Sequence, residues 1–207
     1  MTPCPVIVFA KAPRPGLAKT RLIPALGEAG AAQLAERLLD AAMEQACAAA
    51  IGPVRLCCTP DATHPAFARW AQRPGVTLTL QSAGDLGQRM ARALAQALAE
   101  HPGALLMGSD IPVLDAACLR QARDALAHHD AVFTPALDGG YVLVGLRRPC
   151  AALFENIPWS TPQVMAQTRK RLARLGLRHA ELPPLGDVDE PADLTRLPPH
   201  WIAPPRR

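Results

Sequence analysis

Residues 11–22 (KAPRPGLAKTRL) carry the residue types that would bind a small anion. Residues 1–27 hold no acid, so the whole formal net charge of +4 comes from four cations in this segment: Lys11, Arg14, Lys19 and Arg21. Gly16 permits a close approach of the backbone, exposed amides can donate hydrogen bonds, and Lys19 and Arg21 can add charge-assisted ones. The loop is therefore predicted to bind a compact anion such as a polyphosphate.

Two other interpretations of this loop stay open. A Walker A loop has the pattern G-x-x-x-x-G-K-[ST], and Lys19-Thr20 fits its end. However, Ala18 and Pro13 stand where that pattern needs glycine, and Pro24 would break the helix that must begin near the lysine. The other alternative is a basic loop that is merely solvated.

An acid follows a buried apolar segment in the middle of the chain. Gly108-Ser109-Asp110 comes directly after a predicted strand at 104–107. A carboxylate at the carboxyl end of a strand can hold a divalent cation against a diphosphate. Asp110 could equally cap a turn or a helix before Pro112.

A second acidic segment lies near the end of the chain and contains Asp187, Asp189, Glu190 and Asp193. Most such clusters are solvated caps, and the sequence Asp-Glu-Pro at 189–191 would begin a helix well. From the residues alone, this segment is a candidate for either a cap or a ligand set.

Asp138 lies between two predicted strands, in the sequence LDGG at 137–140. An Asp-Gly pair suits a hairpin turn. The same carboxylate could act as a general base on an acceptor hydroxyl. Trp159 presents a similar choice, between stacking on an acceptor and ordinary packing.

Residues 84–90 (GDLGQRM) open a predicted helix. Two glycines would let the backbone approach a flat base or a ribose, and a helix N-terminus favours anions. The alternative is a glycine-rich helix entry with Arg89 on the surface.

Strand and helix patterns alternate along the chain, which predicts an α/β fold with a mostly parallel sheet. Ligands bind such sheets beyond the carboxyl ends of the strands. The predicted strands are 5–10, 54–59, 76–81, 104–107, 131–135, 141–146 and 177–182. The predicted helices are 27–50, 65–72, 86–100, 114–127 and 162–175, with a last helical turn or two at 191–197.

Composition limits the class of protein. The 207 residues are 49% hydrophobic, enough for a sizeable core, and we expect one domain over 1–197 and a Pro/Arg-rich tail over 198–207. No apolar run approaches the ~18–20 residues of a membrane helix. The absence of a secretory leader and of zinc-like cysteine spacing predicts a cytoplasmic protein whose cysteines are small buried hydrophobes. Concentrated cations and 4% aromatic residues argue against nucleic acid as a partner.

The chain resembles the nucleotide-diphospho-sugar transferase (GT-A type) superfamily. More narrowly, it is similar to small bacterial transferases of the arsenosugar-biosynthesis or radical-SAM/selenodomain-associated type. The matching motifs are FAKAPRPGLAKTRL at 9–22, GDLGQRM at 84–90, GSDIPVL at 108–114, DGGYVLVGL at 138–146 and DVDEPADL at 187–194. The resemblance covers nearly the whole chain to Leu197 and implies a three-layer, Rossmann-like fold with a mixed, mostly parallel sheet flanked by helices.

The resemblance also implies site residues. Asp110 would be the main ligand of Mg²⁺ or Mn²⁺, and the closing motif would supply Asp189, with Asp187 as the second choice. Lys19 and Asp138 are the candidate catalytic residues. The residues expected to bind the nucleotide are Lys11, Gly16, Lys19, Arg21, Gly84, Asp85, Leu86, Arg89 and Ser109.

The leading hypothesis is a metal-dependent transfer of a glycosyl group from a nucleoside-diphosphate sugar to a small-molecule acceptor. The alternative is a nucleotidyltransferase, in which a phosphorylated acceptor attacks a nucleoside triphosphate and releases pyrophosphate. A third possibility is a nucleotide-sensing module without catalysis. No Ser/His/Asp or Cys/His arrangement points to a covalent hydrolase.

Overall fold

The computed structural model describes residues 2–202, and its seven strands form one sheet. The strands are β1 Val6–Lys11, β2 Val54–Thr59, β3 Val76–Leu80, β4 Ala104–Gly108, β5 Ala131–Pro135, β6 Tyr141–Leu146 and β7 His179–Glu181. Their order is β3-β2-β1-β4-β6-β5-β7, and β6 runs antiparallel to both of its neighbours. The other six strands point the same way, so their carboxyl ends share one edge of the sheet. The predicted mixed, mostly parallel sheet is confirmed.

Helices cover both faces of this sheet. They are α1 Ile23–Ala49, α2 Pro65–Ala71, α3 Leu86–Leu98, α4 Ala116–Leu126, α5 Val164–Arg174 and α6 Pro199–Ile202. Three short 3₁₀ turns lie at Thr20–Leu22, Ala151–Leu153 and Pro191–Arg196. Helices α1, α2 and α4 share one apolar core with the sheet, and α3 and α5 share another on the opposite face. The molecule is therefore the three-layer α/β structure expected from the sequence.

The two cores follow from the alternation of side chains along each strand. In β1, Val6 and Val8 belong to the core under α1, and Ile7 between them belongs to the core under α3. In β2, Cys57 and Cys58 likewise lie in opposite cores, as their adjacency predicts. All six cysteines are free thiols.

Helix α1 begins earlier than the sequence pattern predicts. The predicted start was residue 27, and the structure has helical turns from Ile23 that are joined to the main helix across Gly27. Gly27 has φ 69° and ψ 168°, a conformation that glycine adopts without the steric cost of a side chain. Pro24 lies in the first turn, where its missing N–H costs nothing. The proline therefore starts this helical segment and does not break it.

Beyond Leu197 the chain returns to the body of the molecule. Arg37 on α1 donates hydrogen bonds to the carbonyl oxygens of His200 and Trp201, at 2.7 Å for His200. Residues 203–207 of the predicted tail lie outside the described residues. Between residues 2 and 202, no helix combines the length and the apolar character needed to cross a bilayer.

Candidate active site

A cavity of about 650 Å³ opens at the carboxyl edge of the sheet. It brings together the loop after β1, the ends of β2 and β3, the loop after β4, the β5–β6 hairpin and the closing segment before the Pro191–Arg196 turn. Nine of the predicted site residues line it: Lys11, Lys19, Arg21, Leu86, Arg89, Ser109, Asp110, Asp138 and Asp189. Residues far apart in sequence thus share one cavity, as the parallel topology predicts.

The loop after β1 presents both backbone and side-chain donors. Lys19 has φ 47° and ψ 47°, the left-handed conformation that costs a residue with a side chain about 1–2 kcal/mol. Within residues 2–202, the amides of Lys19, Thr20 and Arg21 donate no hydrogen bond to the protein. Such free amides after a left-handed residue are suited to an anion.

One lysine connects the two distant acids. Lys19 Nζ donates to Asp110 Oδ2 at 2.9 Å and to Asp189 Oδ1 at 3.5 Å. The Lys19 side chain is 11% exposed, compared with 35% for Asp110 and 37% for Asp189. Arg21 donates from its guanidinium to the other oxygen of Asp189. The interpretation of this loop as merely solvated is wrong for Lys19.

The closing segment is fastened beside Asp110 by its backbone. The Val188 amide donates to the Asp110 carbonyl oxygen at 3.0 Å, and the Val188 side chain is buried. The amides of Asp189 and Glu190 both donate to Asp193 Oδ2, at 3.0 and 2.8 Å. Asp193 therefore caps the Pro191–Arg196 turn, whereas the side chain of Asp189 lines the cavity.

Asp187 lies on the inner side of the same segment. Burial raises the pKa of its carboxyl above the usual value, and the charges of Asp110 and Asp138 raise it further. The sequence placed Asp187 second to Asp189 as a ligand. The structure shows that Asp187 experiences the field of both other acids, while Asp189 contacts the two cations.

Asp138 occupies the predicted hairpin turn and also lines the cavity, so the two interpretations of this residue are compatible. Its Oδ1 accepts a hydrogen bond from the Gly140 amide at 2.9 Å. The β5–β6 hairpin closes with a bond from the Ala136 amide to the Gly140 carbonyl. The second carboxylate oxygen, Oδ2, accepts no hydrogen bond within residues 2–202, so it is available to a ligand.

Arg14 has a role that the sequence did not reveal. It donates to Asp61 Oδ1 at 2.8 Å and to Thr63 Oγ1 at 2.9 Å, which ties the cationic loop to the loop after β2. Hydrogen bonds from Thr63, together with Arg14, lower the pKa of Asp61 to about 2. No motif connects positions 14 and 61, so only the fold could show this contact.

Three predicted nucleotide-binding residues lie away from this cavity. Gly16 turns the loop with φ 73°, and a Cβ added to it would lie 3.4 Å from the Glu28 carboxylate. Gly84 and Asp85 precede α3, where Asp85 Oδ1 accepts from the Gln88 amide at 2.8 Å and caps the helix. Asp85 lines a separate cavity of about 440 Å³. For Asp85 the structure therefore shows a helix cap and no part in the larger cavity.

Several lining residues were missed by the sequence analysis. Gln81 at the end of β3 donates to the Cys57 carbonyl at 3.1 Å and accepts from Arg89 at 3.2 Å. Ser160, with φ 61°, also lines the cavity. A polar residue at the carboxyl end of a strand is the one signal that could have identified Gln81.

Trp159 packs edge-on against Tyr141, with ring centroids 6.2 Å apart, as ordinary packing predicts.

The donor set suits a hard divalent cation. Asp110 and Asp189 offer carboxylate oxygens around a single ammonium, and both are exposed to the cavity. Oxygen ligands are those that Mg²⁺ and Mn²⁺ prefer. Among residues 2–202, no group of three or more His, Cys, Asp or Glu side chains is arranged to hold a metal ion. An ion here would have two protein carboxylates and further ligands from elsewhere.

Comparison with known proteins gives one family match. The model of the family described as "Uncharacterized protein conserved in bacteria (DUF2064)" matches residues 38–161. No curated protein matches the chain in sequence.

Solved structures extend the comparison. A protein from Desulfovibrio desulfuricans G20, provisionally assigned as a nucleotide-diphospho-sugar transferase, is 32% identical, with a TM-score of 0.84 over 92% of this chain and 84% of that one. The 4-diphosphocytidyl-2C-methyl-D-erythritol synthase of Anaerococcus prevotii is 10% identical, with a TM-score of 0.66 over 94% of each chain. A mannosyltransferase from Pyrobaculum calidifontis, in complex with GDP-mannose and Mn²⁺, is 20% identical, with a TM-score of 0.55 over 90% of this chain and 56% of that one. The last two establish the shared fold only.

Proposed function

We propose, from the premise that this chain belongs to the DUF2064 family and to the nucleotide-diphospho-sugar transferase superfamily, that it transfers a glycosyl group. The donor would be a nucleoside-diphosphate sugar and the acceptor a small molecule. The observation that carries this proposal is the meeting of Lys19, Arg21, Asp110 and Asp189 in one cavity at the carboxyl edge of the sheet.

The diphosphate of the donor would bind where these four residues meet. The free amides of the loop after β1 would donate to phosphate oxygens, and Lys19 and Arg21 would add charge-assisted hydrogen bonds. Asp110 and Asp189 would hold Mg²⁺ or Mn²⁺, which when bound supplies positive charge to the departing diphosphate. The description of the D. desulfuricans relative supports the choice of donor, and the mannosyltransferase, which was solved with GDP-mannose and Mn²⁺, supports the choice of ion.

Asp138 would serve the acceptor. Its Oδ1 is held by the Gly140 amide, so the carboxylate is oriented, and its other oxygen could take the proton of an acceptor hydroxyl. It lies in the same cavity as Asp110, so donor and acceptor would meet there.

A nucleotidyltransferase is the second candidate, favoured by one feature of the loop. Three consecutive free amides and two cations offer enough donors for the longer polyphosphate of a nucleoside triphosphate. In that reaction an acceptor phosphate attacks the α-phosphorus, the bond to the bridging oxygen breaks, and pyrophosphate leaves. The synthase from A. prevotii shares this fold.

The test is turnover on a panel of nucleoside-diphosphate sugars and nucleoside triphosphates, with Mn²⁺ or Mg²⁺ and small hydroxyl or phosphate acceptors. Release of a nucleoside diphosphate supports glycosyl transfer, and release of pyrophosphate supports nucleotidyl transfer instead. Nucleotide binding without turnover on the whole panel would favour a sensing module.

Asp110→Asn should lower kcat by at least about a hundredfold, because it removes one of the two carboxylates assigned to the cation. Asp124→Asn is the matched control, since Asp124 lies near the far end of α4 and is not among the residues that line the cavity. Comparable activity of the two variants would remove Asp110 from the site.

A further inference from the structure

We propose that Lys19 and Arg21 are built-in counter-ions that occupy the carboxylates of the cation site until the phosphates of a nucleotide draw them away. The free protein would then bind a divalent metal poorly, and metal and nucleotide would bind together. This inference rests on the proposed function, because it concerns the same carboxylates.

The contacts at the two acids carry the argument. Lys19 Nζ lies 2.9 Å from Asp110 Oδ2 and 3.5 Å from Asp189 Oδ1. Arg21 takes the remaining oxygen of Asp189, so both oxygens of that carboxylate are engaged. The two carboxylates that suit a metal are thus already neutralised by the chain itself.

The position of Lys19 makes this occupation hard to avoid. Its side chain is only 11% exposed, so the ammonium is enclosed between the acids and does not swing freely in solvent. A divalent cation bound to the same oxygens would lie close to the ammonium and be repelled by it, so the presence of Lys19 would weaken metal binding.

A bound polyphosphate would draw Lys19 and Arg21 away from the two carboxylates. Phosphate oxygens are strong acceptors for both an ammonium and a guanidinium, and the free amides of Lys19, Thr20 and Arg21 would add further donors. Once Lys19 and Arg21 turn to the phosphates, Asp110 and Asp189 become available to the metal. Each ligand removes the obstacle to the other, which gives a positive and reciprocal coupling between them.

The experiment measures Mn²⁺ alone, without any nucleotide. Paramagnetic resonance of free Mn²⁺ during titration gives the dissociation constant of the wild type, Lys19→Met, Arg21→Met and Lys11→Met. Lys19→Met should bind Mn²⁺ about tenfold or more tightly than the wild type. Arg21→Met should show a smaller gain of about threefold, because within residues 2–202 Arg21 pairs with Asp189 and not with Asp110.

Lys11→Met is the matched control. Lys11 lines the same cavity, yet within residues 2–202 it forms no ion pair with an acid. Its loss removes the same charge without uncovering a carboxylate, so its Mn²⁺ affinity should change by less than about twofold. If Lys11→Met and Lys19→Met gain the same Mn²⁺ affinity, the loss of one positive charge anywhere in the cavity explains the effect, and the proposal is overturned.

Two further results would also overturn it. One is an unchanged Mn²⁺ affinity in Lys19→Met, provided that circular dichroism shows this variant to be folded. If Lys19→Met does not fold, Arg21→Met replaces it, because the Arg21 side chain is 60% exposed. An unchanged Mn²⁺ affinity in Arg21→Met would then overturn the proposal in the same way. The other is a gain that persists when Asp110→Asn is added to Lys19→Met, since the metal would then bind elsewhere.

The outcome is independent of turnover. If Lys19→Met binds Mn²⁺ more tightly but the wild type turns over no substrate of the panel, the counter-ion proposal stands and the proposed function is refuted. Turnover on the panel with no gain in Mn²⁺ affinity would refute the counter-ions and keep the function.

Discussion

At the scale of the residue, Lys19 combines a costly backbone with an enclosed charge. A left-handed lysine is disfavoured by about 1–2 kcal/mol, and this one has φ 47°. Its ammonium nevertheless joins Asp110 to Asp189, which lie in different motifs. Backbone strain at a ligand-binding position is expected where geometry matters more than local stability.

Asp138→Asn tests the acceptor side of the site. Asparagine keeps an oxygen that can accept from the Gly140 amide, so the hairpin should persist while the basic oxygen is lost. We expect kcat for glycosyl transfer to fall by about 10²–10⁴-fold. The dissociation constant of the nucleotide should stay within about twofold of the wild type.

Steady-state kinetics and calorimetric titration of the nucleotide together check this split. If Asp138→Asn keeps the kcat of the wild type, Asp138 is not the general base and its role is confined to the hairpin turn.

The meeting of Lys19, Asp110 and Asp189 could be predicted because each belongs to a motif of the family that the sequence resembles. For Gln81 the one signal was its place directly after a strand, and Ser160 is a single polar residue without a surrounding pattern. The sequence could not predict that Lys19 lies between the acids, since side-chain contacts across 91 and 170 positions depend on the folded loop.

At the scale of the element, the β5–β6 hairpin holds one side of the site in place. The β5–β6 hairpin carries Asp138, and Gly139 in it has φ 93°. A Cβ at Gly139 would lie 2.2 Å from the Pro162 carbonyl oxygen, so a side chain there must push the hairpin away from the start of α5.

Gly139→Ala should therefore lower both stability and activity. Gly75→Ala is the matched control, because Gly75 has φ 79° but nothing within 4 Å of an added Cβ. We expect about 1–2 kcal/mol of destabilisation from backbone strain in either variant, and a further ~1–3 kcal/mol from the clash in Gly139→Ala. Urea unfolding measures the difference, and equal losses in the two variants would exclude the clash.

The contact from Arg14 to Asp61 and Thr63 should make stability depend on pH in acid. The folded pKa of Asp61 is lowered to about 2, below its ordinary value, by bonds from Thr63 and Arg14. Such a group stabilises the fold fully above its unfolded pKa, and this contribution is lost as the pH falls through the folded one.

The melting temperature of the wild type should therefore exceed that of Asp61→Asn at pH 5, and the difference should shrink as the pH falls from about 4 to about 2. Thermal unfolding followed by circular dichroism measures both. A difference that stays constant over this range would mean that the carboxylate charge plays no part.

Element boundaries show where the sequence pattern was less informative. The predicted strand 177–182 is only His179–Glu181, since its pairing with β5 covers just three positions. The helix predicted from residue 27 extends back to Ile23, because Gly27 lets two helical segments join at an angle. Turn geometry of this kind depends on φ and ψ and has no periodic signal.

At the scale of the whole molecule, the topology of the sheet creates the site. Because six of the seven strands run in one direction, the loops after β1, β4 and β5 gather at a single edge. The periodicity of apolar residues was enough to predict this sheet and its two covering layers. It could not give the strand order, in which the antiparallel β6 lies between β4 and β5 and brings the Asp138 hairpin to that edge.

The anomalous scattering of Mn²⁺ in crystals grown with a nucleoside diphosphate would show whether one cation joins Asp110 and Asp189 to the diphosphate. We expect one strong peak within coordination distance of carboxylate oxygens of both Asp110 and Asp189, with diphosphate density between the ion and Lys19. A peak that touches neither carboxylate, or a diphosphate bound in the cavity beside Asp85, would contradict it.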